Sequence, residues 1–161
     1  MIAISYAIWW IIVDKQRLSQ ILLFGSFVAI QRAVMDIFGT DIGLWSYDIR
    51  ETPLYPSVFL HDFTLTPLAL MVVYQTCHSW KKFLVWTGVA TGIFSFVYFP
   101  LLIKFEFLKL YNWNLFYSFG MIFGIALFSR WVLLGIISIQ QNHQPSIKPL
   151  HKENDQRNDK D

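Results

Sequence analysis

Four long apolar runs, residues 18–38, 59–77, 83–103 and 113–139, set the limits on how this chain can fold. Each is long enough to cross a bilayer as a helix, which takes roughly 20 apolar residues. A membrane β-barrel would alternate polar and apolar residues along each strand, and no such alternation is visible. Hydrophobic residues make up 55% of the 161 residues and charged ones 15%, against about 25% charge in an ordinary soluble domain. The mean hydropathy is +0.42. The expected fold class is therefore all-α, an integral membrane helical bundle of about five transmembrane helices.

The fifth helix is a short one at the start. Residues 1–13 lack the basic leader and the small-residue cleavage site of a secretory signal, so they read as a retained first span. As a helix they reach roughly 20 Å against about 30 Å of hydrocarbon, so they must lean on neighbours or lie in the interface. Basic residues orient the set. Lys15, Arg17, Lys81 and Lys82 fall in two connections on one side, with Lys148, Lys152, Arg157 and Lys160 in the tail. Arg50, Lys104 and Lys109 fall on the other side. The positive-inside rule then places the N-terminus outside and the C-terminus in the cytoplasm. Residues 140–161 are polar and of mixed charge, which predicts a disordered cytoplasmic tail.

Charge inside the apolar runs marks the candidate site. Arg32 and Asp36 lie one turn apart within residues 18–38, and Asp62 follows His61 near the mouth of the next run. A charge held in hydrocarbon costs on the order of 3 kcal/mol, so such groups pair or face a wet cavity. Gly25, Ala29, Arg32 and Asp36 fall within about 60° of one another on a helical wheel, a face suited to other helices rather than lipid. Arg32 sits roughly 6 Å deeper than Asp36 and is placed to bridge Asp36 and Asp62. Three readings compete: a folding staple, because buried pairs often fix orientation and nothing more, a ligand, ion or catalytic cluster, and interfacial snorkelling.

The outer connection, residues 39–58, carries Trp45, Tyr47 and Tyr55, aromatic rings suited to a headgroup belt, with Pro53 and Pro56 stiffening the return. Together with Trp113 of the YNWN segment, Trp45 and Tyr47 form an expected aromatic cap over the cluster. Pro67 removes a backbone donor from the third helix and frees a carbonyl. Two GxxxG pairs, Gly88 with Gly92 and Gly120 with Gly124, suit close helix packing, either between those two helices or between two copies of the chain. Arg130, beside Trp131 near a helix end, reads as a snorkelling side chain.

Other chemistry has little support. Cys77 is the single cysteine, which excludes an internal disulfide and any CxxC motif. Neighbouring side chains on a helix diverge, so Cys77 and His78 make a poor nucleophile pair. His61 and Asp62 alone do not supply the three or four ligands a metal needs. P-loops, dinucleotide fingerprints, HExxH and hydrolase elbows are absent. A net charge of +2 with no basic stripe gives no reason to expect nucleic acid, and no cofactor is implied.

The order GTDIGLWSYD, HDFTLTP, YQTCHSWKKF and YNWN resembles a family of small multi-pass membrane proteins of endospore-forming Firmicutes. The resemblance covers roughly residues 10–135 through Asp36, Trp45, Tyr47, Asp62, Pro67, Gln75, Trp80, Pro100 and Trp113. It implies the architecture and no activity. A second resemblance is to the membrane domains of bacterial-type lycopene cyclases, which pair an aromatic patch with acidic residues opening the next helix. Here His61 and Asp62 stand where those have an acidic pair. The expected function is a non-enzymatic accessory, sensor or partner-binding membrane component, whose partners are the bilayer and another membrane protein or a second copy. The alternatives are a small oligomeric transporter or channel, and an enzyme acting on an isoprenoid or other lipid.

Overall fold

The computed structural model describes residues 2–47 and 61–143, with side chains from 4 to 47 and from 63 to 142. Tyr55, Pro53, Pro56, Arg50, the side chains of His61 and Asp62, and the tail beyond 143 lie outside the described residues. Six α-helices and one two-stranded ribbon make up the described fold. α1 (Ile2–Ile12) leads through a 3₁₀ turn (Lys15–Arg17) into α2 (Leu18–Asp41). Strand β1 (Trp45–Tyr47) follows. A π-helical turn (His61–Leu65) opens α3 (Thr66–Thr76). Then α4 (Trp80–Ile93), a second π turn (Phe94–Tyr98) and α5 (Phe99–Lys104) form one continuous rod. Strand β2 (Leu108–Leu110) and α6 (Leu115–His143) complete the described chain.

Among the described residues, three helical stretches are long and apolar enough to cross a membrane: Lys15–Asp41, Trp80–Lys104 and Leu115–Asn142. The all-α class holds, with the ribbon as an addition. Of the expected span 59–77, residues 59 and 60 lie outside the described residues, and the apolar helical stretch among the described ones is Phe63–Thr76. Cys77 turns extended, with φ −106° and ψ 96°. Ser79 then caps α4 by accepting from the Lys82 amide at 3.3 Å. The last helix also runs past Gln140, where the polar tail was expected to begin, and reaches His143.

Both π turns sit just before a proline in the following helix, Pro67 and Pro100. Proline has no N–H for the carbonyl four residues back, and its ring crowds that carbonyl, so the preceding turn widens. The Phe99 amide accordingly donates five residues back, to the Phe94 carbonyl. At Pro67 the affected carbonyl belongs to Phe63, and the Tyr6 hydroxyl of α1 donates to it at 2.7 Å. At the other end of α1, the Gln75 side chain accepts from the Asp14 amide (3.3 Å) and donates to the Ile12 carbonyl (3.5 Å). α1 therefore lies parallel to α3, tied by side-chain to backbone bonds at both ends.

α2 and α5 end in the same way. The Leu44 amide reaches the Gly39 carbonyl (2.9 Å) and the Gly43 amide the Thr40 carbonyl (3.2 Å), with Gly43 at φ 73°. After α5, Phe107 reaches Leu102 (2.9 Å) and Glu106 reaches Ile103 (3.1 Å), with Glu106 at φ 60°. These are paired Schellman closures, each needing a left-handed residue just past the helix. Each one releases a strand, and the two strands pair antiparallel with Trp45 opposite Leu110 and Tyr47 opposite Leu108.

α2 packs against both α3 and α6, and α4 also touches α3 and α6. At one end, the basic end, Phe24 stacks on Tyr74 with ring centroids 4.6 Å apart, and Phe83 closes edge-on to both. The opposite, ribbon end carries the strands. The distribution of polarity is inverted relative to a soluble protein. Arg32, Asp36, Thr64, Thr66, Thr87, Thr91, Ser95, Ser118, Ser129 and Arg130 are buried, while Ile11, Trp86, Phe116 and Trp131 are exposed.

Candidate functional site

Asp36 is the centre of the ribbon end. It lies in the last two turns of α2 and is 1% exposed. Its Oδ1 accepts a hydrogen bond from Tyr47 Oη at 2.6 Å and another from Trp45 Nε1 at 3.2 Å. Both donors belong to β1, so one carboxylate oxygen fastens the strand to the helix it has just left. The 2.6 Å bond lies in the short range of hydroxyl-to-carboxylate bonds, which are about twice as strong as neutral ones.

Local sequence explains why the indole can reach. Trp45 lies directly on Gly39, where a Cβ would collide with the ring. Gly39 thus leaves the surface of α2 open one turn beyond Asp36, and Gly43 supplies the reversal that folds β1 back over it. Trp113 then meets Trp45 edge-on at 5.1 Å and donates through Nε1 to Ser118 Oγ at 2.8 Å. Asn114 caps α6 by accepting from the Tyr117 amide at 3.0 Å. The ribbon is further held where the Tyr111 amide donates to the Leu44 carbonyl at 3.0 Å.

Arg32 and Asp36 line a single cavity with Trp45, Tyr47, Trp113 and Ser118, walled on its apolar side by Phe99, Leu102, Leu108, Leu110 and Met121. Its volume is about 20 Å³, enough for one water molecule. The structure thus brings together Arg32, Asp36, Trp45, Tyr47 and Trp113. The His61 and Asp62 side chains lie outside the described residues. Among the described residues, no group of three His, Cys, Asp or Glu side chains converges to hold a metal.

The packing glycines divide. Gly25 lies against the Met71 side chain of α3. Gly88 and Gly92 face Phe123 and Phe119 of α6, at 3.8 and 4.0 Å from where a Cβ would stand. Ala29 is half-buried. Gly120 and Gly124 have nothing within 4 Å, so the two GxxxG pairs do not meet in one contact. The buried face of α6 is marked instead by Ser118, Ile122, Ala126 and Ser129. Gly120 and Gly124 fall on the opposite side of that wheel.

Arg130 corrects an expectation. Rather than snorkelling outward it is 5% exposed, and it donates through Nη1 to the Cys77 carbonyl and through Nη2 to the His78 carbonyl, both at 3.2 Å. Its guanidinium also lies 4.3 Å from the Phe83 ring centroid and 4.8 Å from that of Trp80. The cause is the break after α3. Carbonyls past a helix end have no helical partner, and a planar fork of donors meets two at once. The signal for this was on the wheel, since Arg130 follows Ile122 and Ala126 at intervals of four. Cys77 and His78 do diverge: Cys77 is buried, and His78 is exposed with its Nε2 3.3 Å from Arg17 Nη1.

No protein-family model, curated protein or solved structure matches the chain. The site must therefore be read from its own geometry.

Proposed function

We propose that this chain is a multi-pass helical protein of the bacterial cytoplasmic membrane, serving as a non-enzymatic component that presents its ribbon end to another membrane protein. The membrane placement is supported by the inverted polarity, with Arg32, Asp36 and eight further polar side chains inside and Ile11, Trp86 and Trp131 outside. Exposed apolar area on that scale needs a partner solvent. In this reading α1 and α3, both short for a crossing among the described residues, lie side by side, with α3 packed on α2 and α1 tied to α3 through Tyr6 and Gln75. The basic end, with Lys15, Arg17, Lys81 and Lys82, faces the cytoplasm. The placement in a bacterial membrane rests on the resemblance to small Firmicutes membrane proteins.

One observation carries the non-enzymatic reading. Asp36 holds Trp45 and Tyr47 beside a cavity of about 20 Å³, whereas small-molecule sites run from roughly 300 Å³ upward. The cluster thus fastens a cap, and the cap carries exposed Phe105, Phe107, Tyr111 and Tyr117 as a contact surface. A photo-crosslinking residue placed at Tyr111 should capture one discrete membrane protein in native membranes. Asp36→Ala should abolish that adduct. Lipid turnover or solute flux by the purified chain alone would overturn the reading.

A transport reading draws on polar groups at a second depth, where Gln31 of α2 donates to Ser129 of α6 at 2.8 Å. It predicts ion flux in liposomes that is lost in Gln31→Leu.

A further inference from the structure

The basic end carries a second feature, a groove whose reading rests on the membrane placement just proposed. Open and about 500 Å³ in volume, it runs between α3 and α4 and is lined by Val72, Val73, Thr76, Cys77, Lys82 and Trp86. Val72 and Thr76 are one turn apart on α3, and Lys82 and Trp86 one turn apart on α4, so each helix contributes one wall. The Thr76 hydroxyl donates within its own helix, to the Val72 and Val73 carbonyls at 2.9 and 3.1 Å. Cys77, 3% exposed, lies at the floor. The groove is therefore apolar except at its mouth, where Lys82 stands with Lys81 beside it.

We propose that this groove seats one anionic phospholipid, with an acyl chain along Val72, Val73 and Trp86 and its phosphate against Lys82. Charge complementarity selects the occupant. The first turn of α4 contains no acid, and Lys15 and Arg17 stand at the same end. Among the described residues the acid of that end is Asp14, which accepts from the Gln16 amide at 3.0 Å. A zwitterionic headgroup brings its own cation to this field and gains little. A free phosphate ion would leave the apolar walls uncovered. Trp86, 57% exposed, lies one turn further along α4 than Lys82, roughly 6 Å deeper by helical rise, at the level of the acyl chain.

Trp86 is also the reporter. Full-length protein is reconstituted in phosphatidylcholine vesicles containing a small fraction of chain-brominated phosphatidylglycerol or chain-brominated phosphatidylcholine. The difference in tryptophan quenching between wild type and Trp86→Phe isolates the groove. The anionic lipid should be enriched at Trp86 about fivefold over the zwitterionic one, the ratio expected from one basic residue near a membrane surface. Lys82→Gln should remove most of that preference, and Lys109→Gln at the ribbon end should leave it intact. Equal quenching by the two lipids would overturn the proposal, as would a preference that survives Lys82→Gln. Absence of quenching by either, the result if a second copy of the chain covered the groove, would also overturn it. Loss of the preference on adding inorganic phosphate would assign the groove to a free anion instead. Failure of the protein to float with the vesicles would defeat the membrane placement itself, a result separable from all of these.

Discussion

Among the described residues two arginines are buried, one toward each end, and their surroundings differ. Arg130 meets two carbonyls past the end of α3 and lies over the rings of Phe83 and Trp80. Arg32 lines a cavity it shares with a carboxylate, two indoles and a phenol. Arg130 joins the break between α3 and α4 to α6. Around Arg32 the polar groups fasten a ribbon whose Trp45 and Leu108 pack onto the end of the helical core. Buried charge in one bundle can thus serve two purposes: closing a helix end, and holding a cap.

Removing each anchor in turn separates the two roles. Arg130→Leu should destabilise the whole bundle, by about 3–5 kcal/mol, because two carbonyls lose charge-assisted hydrogen bonds at once. Thermal unfolding in detergent should show one cooperative transition at a much lower midpoint. Asp36→Ala should cost less, about 1–3 kcal/mol, since it strands the Tyr47 and Trp45 donors at the cap. Its mark should be local, as faster hydrogen exchange in β1 and β2 with α6 unchanged. Gly39→Leu tests the same cap from the other side. A side chain there must displace the Trp45 indole, and the fluorescence of that tryptophan should move toward an exposed spectrum.

Tyr6→Phe addresses the tie between α1 and α3. Loss of its hydrogen bond to the Phe63 carbonyl should cost about 1 kcal/mol and raise proteolysis in residues 1–17 before any other region. The smallest effect is a gain. Glu106 holds a left-handed conformation just past α5, which costs a non-glycine residue roughly 1 kcal/mol. Glu106→Gly should return up to that amount in the unfolding midpoint.

The helices could be read from sequence because their signal is local. Residues 18–38 became α2 through Asp41, and residues 83–103 fall within the rod Trp80–Lys104. A run of apolar residues carries its own length. The ribbon could not be read that way. Its strands are three residues each, and Trp45 finds Leu110 only after the intervening chain has been placed. The usable trace was Gly43, whose left-handed conformation ends α2 and turns the chain into β1. Arg130 was misplaced because its nearest neighbour, Trp131, points out, whereas its partners belong to the turn after α3. Asp36, Trp45, Tyr47 and Trp113 were legible as a group because charge in an apolar run and aromatics at its mouth have few places to go.

If the Asp36 carboxylate holds the ribbon on the bundle, hydrogen exchange at the Tyr111 amide, which bonds to Leu44 across the ribbon, must depend on it. The comparison is between wild type and Asp36→Asn. The expected result is an acceleration of about tenfold, equivalent to about 1.4 kcal/mol, with α6 amides unaffected. An unchanged rate at Tyr111 alongside faster exchange through α2 would contradict that role for Asp36.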